Sequence, residues 1–284
     1  MPSRHRVLVN DSQLSLLQCG PVDGPVALFL HGIPTGAELW RDVLVTLAER
    51  GYRCLAPDLI GFGQTIVPDT ADHSILASAH LLRDWIEQED LNSIWLISHD
   101  IGGGVGQLLL TACEDRFLRC SISNSITADT WPVPMIRLMR IAARLGLFAP
   151  LAATGIMSTW VGRFLLGAAV HDRSVLTDDV LSRVFWDTKV TTPEGRLKIQ
   201  KLLAALDSTH TQDNMEKLKS VGVPIDLIWA MNDPYQPWHG SGILLNQIFP
   251  KARVVHLQQA GHFLQIDAPE KYSAALLDDT LLGG

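Results

Sequence analysis

The chain of 284 residues carries 23 Lys+Arg against 30 Asp+Glu, a net charge of −7. With 47% apolar and 19% charged residues, it has the material for a large buried core, which excludes an intrinsically disordered chain. The acidic balance argues against a nucleic-acid binder, which shows a basic footprint, and suits a soluble enzyme or binding protein.

In chain order, residues 14–19 and 26–30 are short apolar runs that predict strands, the second followed at once by His31–Gly32–Ile33–Pro34. Residues 37–50 predict an amphipathic helix ending at Gly51. A strand at 53–58 runs into a glycine turn, and 74–90 predict a second helix. A strand at 93–98 leads through His99–Asp100–Ile101–Gly102–Gly103 into a helix at about 103–115, and 120–125 predict another strand. Such alternation implies a mostly parallel sheet covered by helices on both faces, an α/β fold. From 127 to 220 no strand is signalled. The segment is helical and apolar, with Arg137, Arg140 and Arg144 on one helical face. Alternation resumes with a strand at 224–230, a helix near 241–248, a strand at 253–258 and a final helix at about 267–282. The expected organisation is an α/β core in two parts, 1–126 and 221–284, interrupted by a helical lid at 127–220. The lid holds 12 Lys/Arg and 9 Asp/Glu, a net +3, so the core carries −10.

Cys19, Cys54, Cys113 and Cys120 form no CxxC pair and no zinc spacing. Neither disulfides, a metal nor a cofactor are expected, and the default compartment is a reducing cytoplasm. The N-terminus lacks the apolar core of a signal peptide. Leu145 to Gly162 is an uncharged stretch near the threshold for a membrane span. Pro150 and its glycines predict a buried or substrate-facing part of the lid instead, so no membrane partner is expected.

The strand–helix junction at Asp100 has the form of a nucleophile elbow. Ser98 and Gly102 are the small residues two before and two after the nucleophile that a tight, strained turn needs. Taken alone, Asp100 could equally be a helix N-cap. As a nucleophile, a carboxylate is already ionised near neutral pH. Its attack on an sp3 carbon gives an alkyl ester that water can hydrolyse. His262, in Gly261–His262–Phe263 after the last strand, is placed to activate that water. Asp233, in the loop after 224–230, would orient His262; Asp129 is the alternative acid. The backbone N–H groups of Ile33 and Ile101 are placed to form an oxyanion hole.

On these elements the chain resembles the α/β-hydrolase superfamily over essentially its whole length. HGIPTGAELWRD, PDLIGFGQT and AGHFLQIDAPEKY are similar to haloalkane dehalogenases, and HGxP with an Asp nucleophile is shared with epoxide hydrolases and fluoroacetate dehalogenases. The resemblance implies Asp100, Asp233 and His262 as the triad and 127–220 as the lid. It also exposes departures. Ile101 and Ile33 stand where haloalkane dehalogenases typically place a halide-holding Trp and Asn. The lid lacks the two tyrosines of epoxide hydrolases. No Arg follows the nucleophile, as it does in fluoroacetate dehalogenases. Substitute donors in the lid are Trp131, Trp160, Trp186, His171 and His210. The expected function is a cofactor-free hydrolase that cleaves a carbon–halogen bond of a small apolar substrate through an Asp ester, as a monomer or homodimer. The alternatives are an epoxide hydrolase with non-tyrosine donors, an ester or lactone hydrolase, and a catalytically silent ligand-binding relative.

Overall fold

The computed structural model describes residues 1–155, 160–186 and 191–278. Eight strands form one sheet: β1 Ser3–Val9, β2 Ser12–Cys19, β3 Val26–Leu30, β4 Arg53–Pro57, β5 Ile94–Asp100, β6 Phe117–Ser125, β7 Ile225–Ala230 and β8 Arg253–Leu257. Their spatial order is β1-β2-β4-β3-β5-β6-β7-β8. β1 and β2 join antiparallel, and the strands from β4 to β8 run parallel. Every residue of β5 and β7 is buried, because parallel strands are covered on both faces.

Helix α1 (Arg41–Glu49) covers one face of the sheet. Helices α2 (Ile75–Gln88) and α3 (Ile101–Ala112) cover the other. Ser74 caps α2 by accepting the N–H of Ala77 at 3.1 Å. Between β6 and β7 no strand occurs among the described residues. That stretch holds α4 Pro134–Arg144, α5 Phe148–Ala153, α6 Trp160–Leu166, α7 Asp178–Val180 running into a π-helical turn at Leu181–Trp186, α8 Pro193–Ala205 and α9 Thr209–Leu218. Phe148, Ile199 and Leu202 of this insert pack with the α2–α3 face. Leu166, Val184 and Phe185 pack with the α1 face, so the insert straddles both halves of the core. Helices α10 Ile243–Ile248, α11 Leu264–Asp267 and α12 Pro269–Leu277 complete the chain.

Two expectations need correction. The apolar stretch 145–162 is buried only in part: Phe148 and Ala152 turn inward, while Leu145, Leu147, Leu151 and Trp160 are exposed. Its residues 156–159 lie outside the described residues. No described helix is long and apolar enough to cross a membrane. The final helix starts at Pro269 rather than 267 and is preceded by a separate short helix at Leu264–Asp267, because Ala268 leaves helical geometry between them; of its expected span, 279–282 lie outside the described residues.

β3 and β5 are neighbours, yet the chain leaves β3 toward β4 on one side and β5 toward β6 on the other. Their carboxyl ends therefore flank a crevice where the winding reverses, the usual ligand position in open α/β sheets.

Candidate active site

Asp100 ends β5 and occupies the N-cap position of α3 with φ 51° and ψ −122°. A non-glycine residue at positive φ is strained by about 1–3 kcal/mol and persists only where its surroundings over-determine it. Here they do. Any side chain at Gly102 would bring its Cβ within 2.4 Å of the carbonyl oxygens of Leu30 and His31. One at Gly32 would sit 2.5 Å from the Asp100 Cβ. The two glycines let the helix start and the β3 exit loop close onto the aspartate. The carboxylate makes no capping hydrogen bond to its own helix, so the N-cap alternative has no support. Instead Oδ2 accepts the backbone N–H of Ile33 at 2.9 Å. Ile101 is the first residue of α3, so its N–H stands outside the intrahelical ladder.

His262 lies between two carboxylates and is 3% exposed. Its Nδ1 is 2.8 Å from Asp233 Oδ2, and its Nε2 is 3.8 Å from Asp100 Oδ2. Burial alone would depress the imidazole, but the charges of Asp233 and Asp100 outweigh it and hold the pKa at about 10. Asp233 is buried as well, which by itself would raise its pKa. The nearby His262, with the N–H groups of Tyr235 at 2.7 Å and Gln236 at 3.1 Å, holds it below the usual carboxylate range. Asp129, the alternative acid, is exposed.

Three neighbours escape sequence reasoning. Asn124 of β6 donates from Nδ2 to Asp233 Oδ2 at 2.8 Å and accepts the Ala230 N–H at 2.8 Å, tying the acid to the sheet. The available signal was an Asn among the small and apolar residues Cys120–Ser125 at the carboxyl end of the strand. His99 packs its ring 4.7 Å from that of His262. Burial and the adjacent His262 push its pKa down to about 3, so it stays neutral. Asp267 accepts the N–H groups of Gly261 at 2.6 Å, His171 at 2.6 Å and Asp172 at 2.9 Å. It thereby joins the His262 loop to the insert.

The five donors expected in the lid are mostly committed or remote. Trp131 is buried and gives its indole N–H to Thr211 Oγ1 at 2.8 Å. Trp160 is 77% exposed, and His171 is exposed. Trp186 and His210 are half-buried. None of the five hydrogen-bonds to Asp100 or His262 among the described residues. Chemically, the centre offers an anionic oxygen, an imidazole on that oxygen and an acid behind the imidazole, with no group of ≥ 3 possible metal ligands among the described residues.

A family model described as "alpha/beta hydrolase fold" matches residues 25–269. Haloalkane dehalogenase 2 of Mycobacterium tuberculosis is 27% identical over 266 residues, 90% of this chain and 87% of its own. An α/β-hydrolase fold protein from Burkholderia ambifaria superposes with a TM-score of 0.83 at 23% identity, covering 97% of this chain and 100% of that one. A haloalkane dehalogenase from Bradyrhizobium elkani superposes with a TM-score of 0.79 at 21% identity, covering 97% and 96%.

Proposed function

The chain belongs to the α/β-hydrolase family and is a hydrolase; on that footing we propose that it cleaves a bond to an sp3 carbon through an ester on Asp100, with haloalkanes as the substrate class. The observation that carries the reading is Asp100 itself: a strained, buried carboxylate at the elbow, held by Ile33 N–H and facing His262 Nε2. The named activity of the Mycobacterium tuberculosis relative supports the haloalkane class.

In the first step the free oxygen of Asp100 attacks the carbon and the carbon–halogen pair departs with the halide. The carboxylate becomes a neutral ester. In the resting enzyme His262 holds a proton because two anions flank it. Ester formation removes one of them, the imidazole pKa falls, and its proton leaves to solvent. His262 then takes a proton from water as hydroxide adds to the ester carbonyl carbon. The N–H groups of Ile33 and Ile101 stabilise the oxyanion that develops there. Collapse expels the alkoxide, which takes the proton back from His262; the carboxylic acid left on Asp100 then passes its proton to His262, restoring the carboxylate and the protonated imidazole. The sum is haloalkane plus water to alcohol, halide and a proton.

One observation favours epoxide opening as a second reading. The side chains at 33 and 101 are aliphatic and offer a departing halide no donor, which is costly in an apolar pocket. The proton on His262 could instead pass to the alkoxide of an opened epoxide.

The test is intact mass of His262→Phe after exposure to haloalkanes and epoxides. A stable adduct on Asp100 is expected, since attack proceeds and ester hydrolysis stalls. A halogen-free alkyl mass supports the first reading, and the full mass of an epoxide supports the second. No adduct, with wild-type turnover of simple esters, would return Asp100 to a general-base or anhydride role. No adduct and no turnover, with measurable ligand binding, would make the chain a silent relative.

A further inference from the structure

Helix α4 has two apolar faces. Ile136, Met139 and Ala143 turn inward onto the core. Met135, Leu138 and Ile141, with Leu145 just past the helix end, are 47%, 66%, 56% and 68% exposed. At about 100° per residue these four fall on one outward face. Arg137, Arg140 and Arg144 form the stripe between the two faces.

The arginines are engaged differently. Arg140 pairs with Asp207 at 2.5 Å. Arg137 donates to the Pro132 carbonyl and Arg144 to the Ala204 carbonyl, both neutral acceptors, and neither has an ion-pair partner among the described residues. From residue 130 to residue 171 the sequence holds four arginines, the fourth being Arg163, and no Asp or Glu. Trp160 and Phe164 of α6 add exposed aromatic surface, at 77% and 62%.

A helix with a row of exposed apolar side chains bordered by arginines, and with no acid, has the composition of one that lies in the plane of a lipid interface. We propose that the outward face of α4 docks onto an anionic phospholipid surface, with Leu138 and Ile141 entering the acyl boundary and Arg137 and Arg144 at the headgroups. A second copy of this chain fits less well. A two-fold contact through this face would set arginine stripes against each other with no acid in the segment to meet them. The −10 charge lies outside residues 127–220. The inference departs from the expectation of no membrane partner, which rested on the lack of a spanning segment; a surface helix needs none. It does not depend on the reaction assigned to Asp100.

The test is cosedimentation of the full chain with vesicles of phosphatidylcholine alone and of equal parts phosphatidylcholine and phosphatidylglycerol. Wild type is expected to sediment with the anionic vesicles, to stay in solution with the neutral ones, and to be released as salt rises. Leu138→Ser with Ile141→Ser should abolish sedimentation while leaving the circular dichroism unchanged, because both side chains are exposed. Arg137→Gln with Arg144→Gln should weaken binding about fivefold per arginine. Wild type left in solution with both vesicles would overturn the proposal. So would a wild-type dimer in analytical ultracentrifugation that the Leu138→Ser, Ile141→Ser pair dissolves.

Discussion

Two buried carboxylates sit at opposite ends of the same sheet, and they are satisfied in opposite ways. Asp226, at the start of β7, accepts Arg119 Nε at 2.7 Å and Ser121 Oγ at 2.8 Å on one oxygen and Arg253 Nε at 2.8 Å on the other. Both cationic partners are guanidinium groups, which serve as fixed hydrogen-bond donors and not as bases. A cavity of about 370 Å³ opens beside this cluster, yet the carboxylate has no oxygen left to offer. Asp100, at the end of β5, is equally buried, but it is held by one backbone N–H and faces a base that can let its proton go. Burial of a charge marks neither site as reactive; what differs is whether the partner can change protonation and whether an oxygen is left over.

The comparison can be broken most sharply at Asp100. Asp100→Asn removes the proposed attacking anion, and turnover should fall on the order of 10⁴-fold or more while the thermal midpoint barely moves. Asp233→Asn keeps the shape but favours the wrong tautomer of His262, and kcat should fall by roughly 10³- to 10⁴-fold. At the other end Asp226→Ala strands two guanidinium groups and should cost about 3–5 kcal/mol in denaturant unfolding, with activity per folded molecule retained. A catalytic loss equal to that of Asp100→Asn would end the distinction. The two sites should also differ in their response to pH. The pKa of His262 in the folded protein, about 10, lies above the ordinary imidazole value of 6.5. Its contribution to stability is therefore full below pH 6.5 and is lost as pH rises toward 10. Unfolding of His262→Phe should therefore lose this part of the pH dependence, and Asp226→Ala, which leaves His262 in place, should keep it.

The α/β pattern was legible because the parallel strands are apolar runs bounded by turn residues. β1 was not. Its sequence SRHRVLV sits at the sheet edge and stays largely solvent-facing, where polar and charged side chains are tolerated and hydrophobic patterning is weak. The start of α3 falls at Ile101 rather than 103. Gly102 and Gly103 lower helix propensity, but tertiary contact demands their small size. At the candidate site, Asp100, Asp233 and His262 could be read because each sits at the carboxyl end of a strand or in the loop that follows one, in a recognisable motif. Asn124, His99 and Asp267 could not. What each does depends on a partner far along the chain, and no local pattern encodes that. The outward row on α4 was half visible: the arginine stripe shows in the sequence, but which apolar face meets water depends on where the insert rests.

Asp267 has a consequence for how this molecule could be altered. Its carboxylate collects amides from 261, 171 and 172, and the Phe263 N–H reaches the Ala169 carbonyl at 3.3 Å. Gly261 is packed so closely on that segment that a Cβ there would come within 2.6 Å of the Ala169 oxygen. The loop that presents the imidazole and the strip of insert above it thus behave as one riveted part. A chimera that exchanges the insert with a relative's should therefore carry 169–172 and 261–267 together, or it will separate the roof from the base it holds in place.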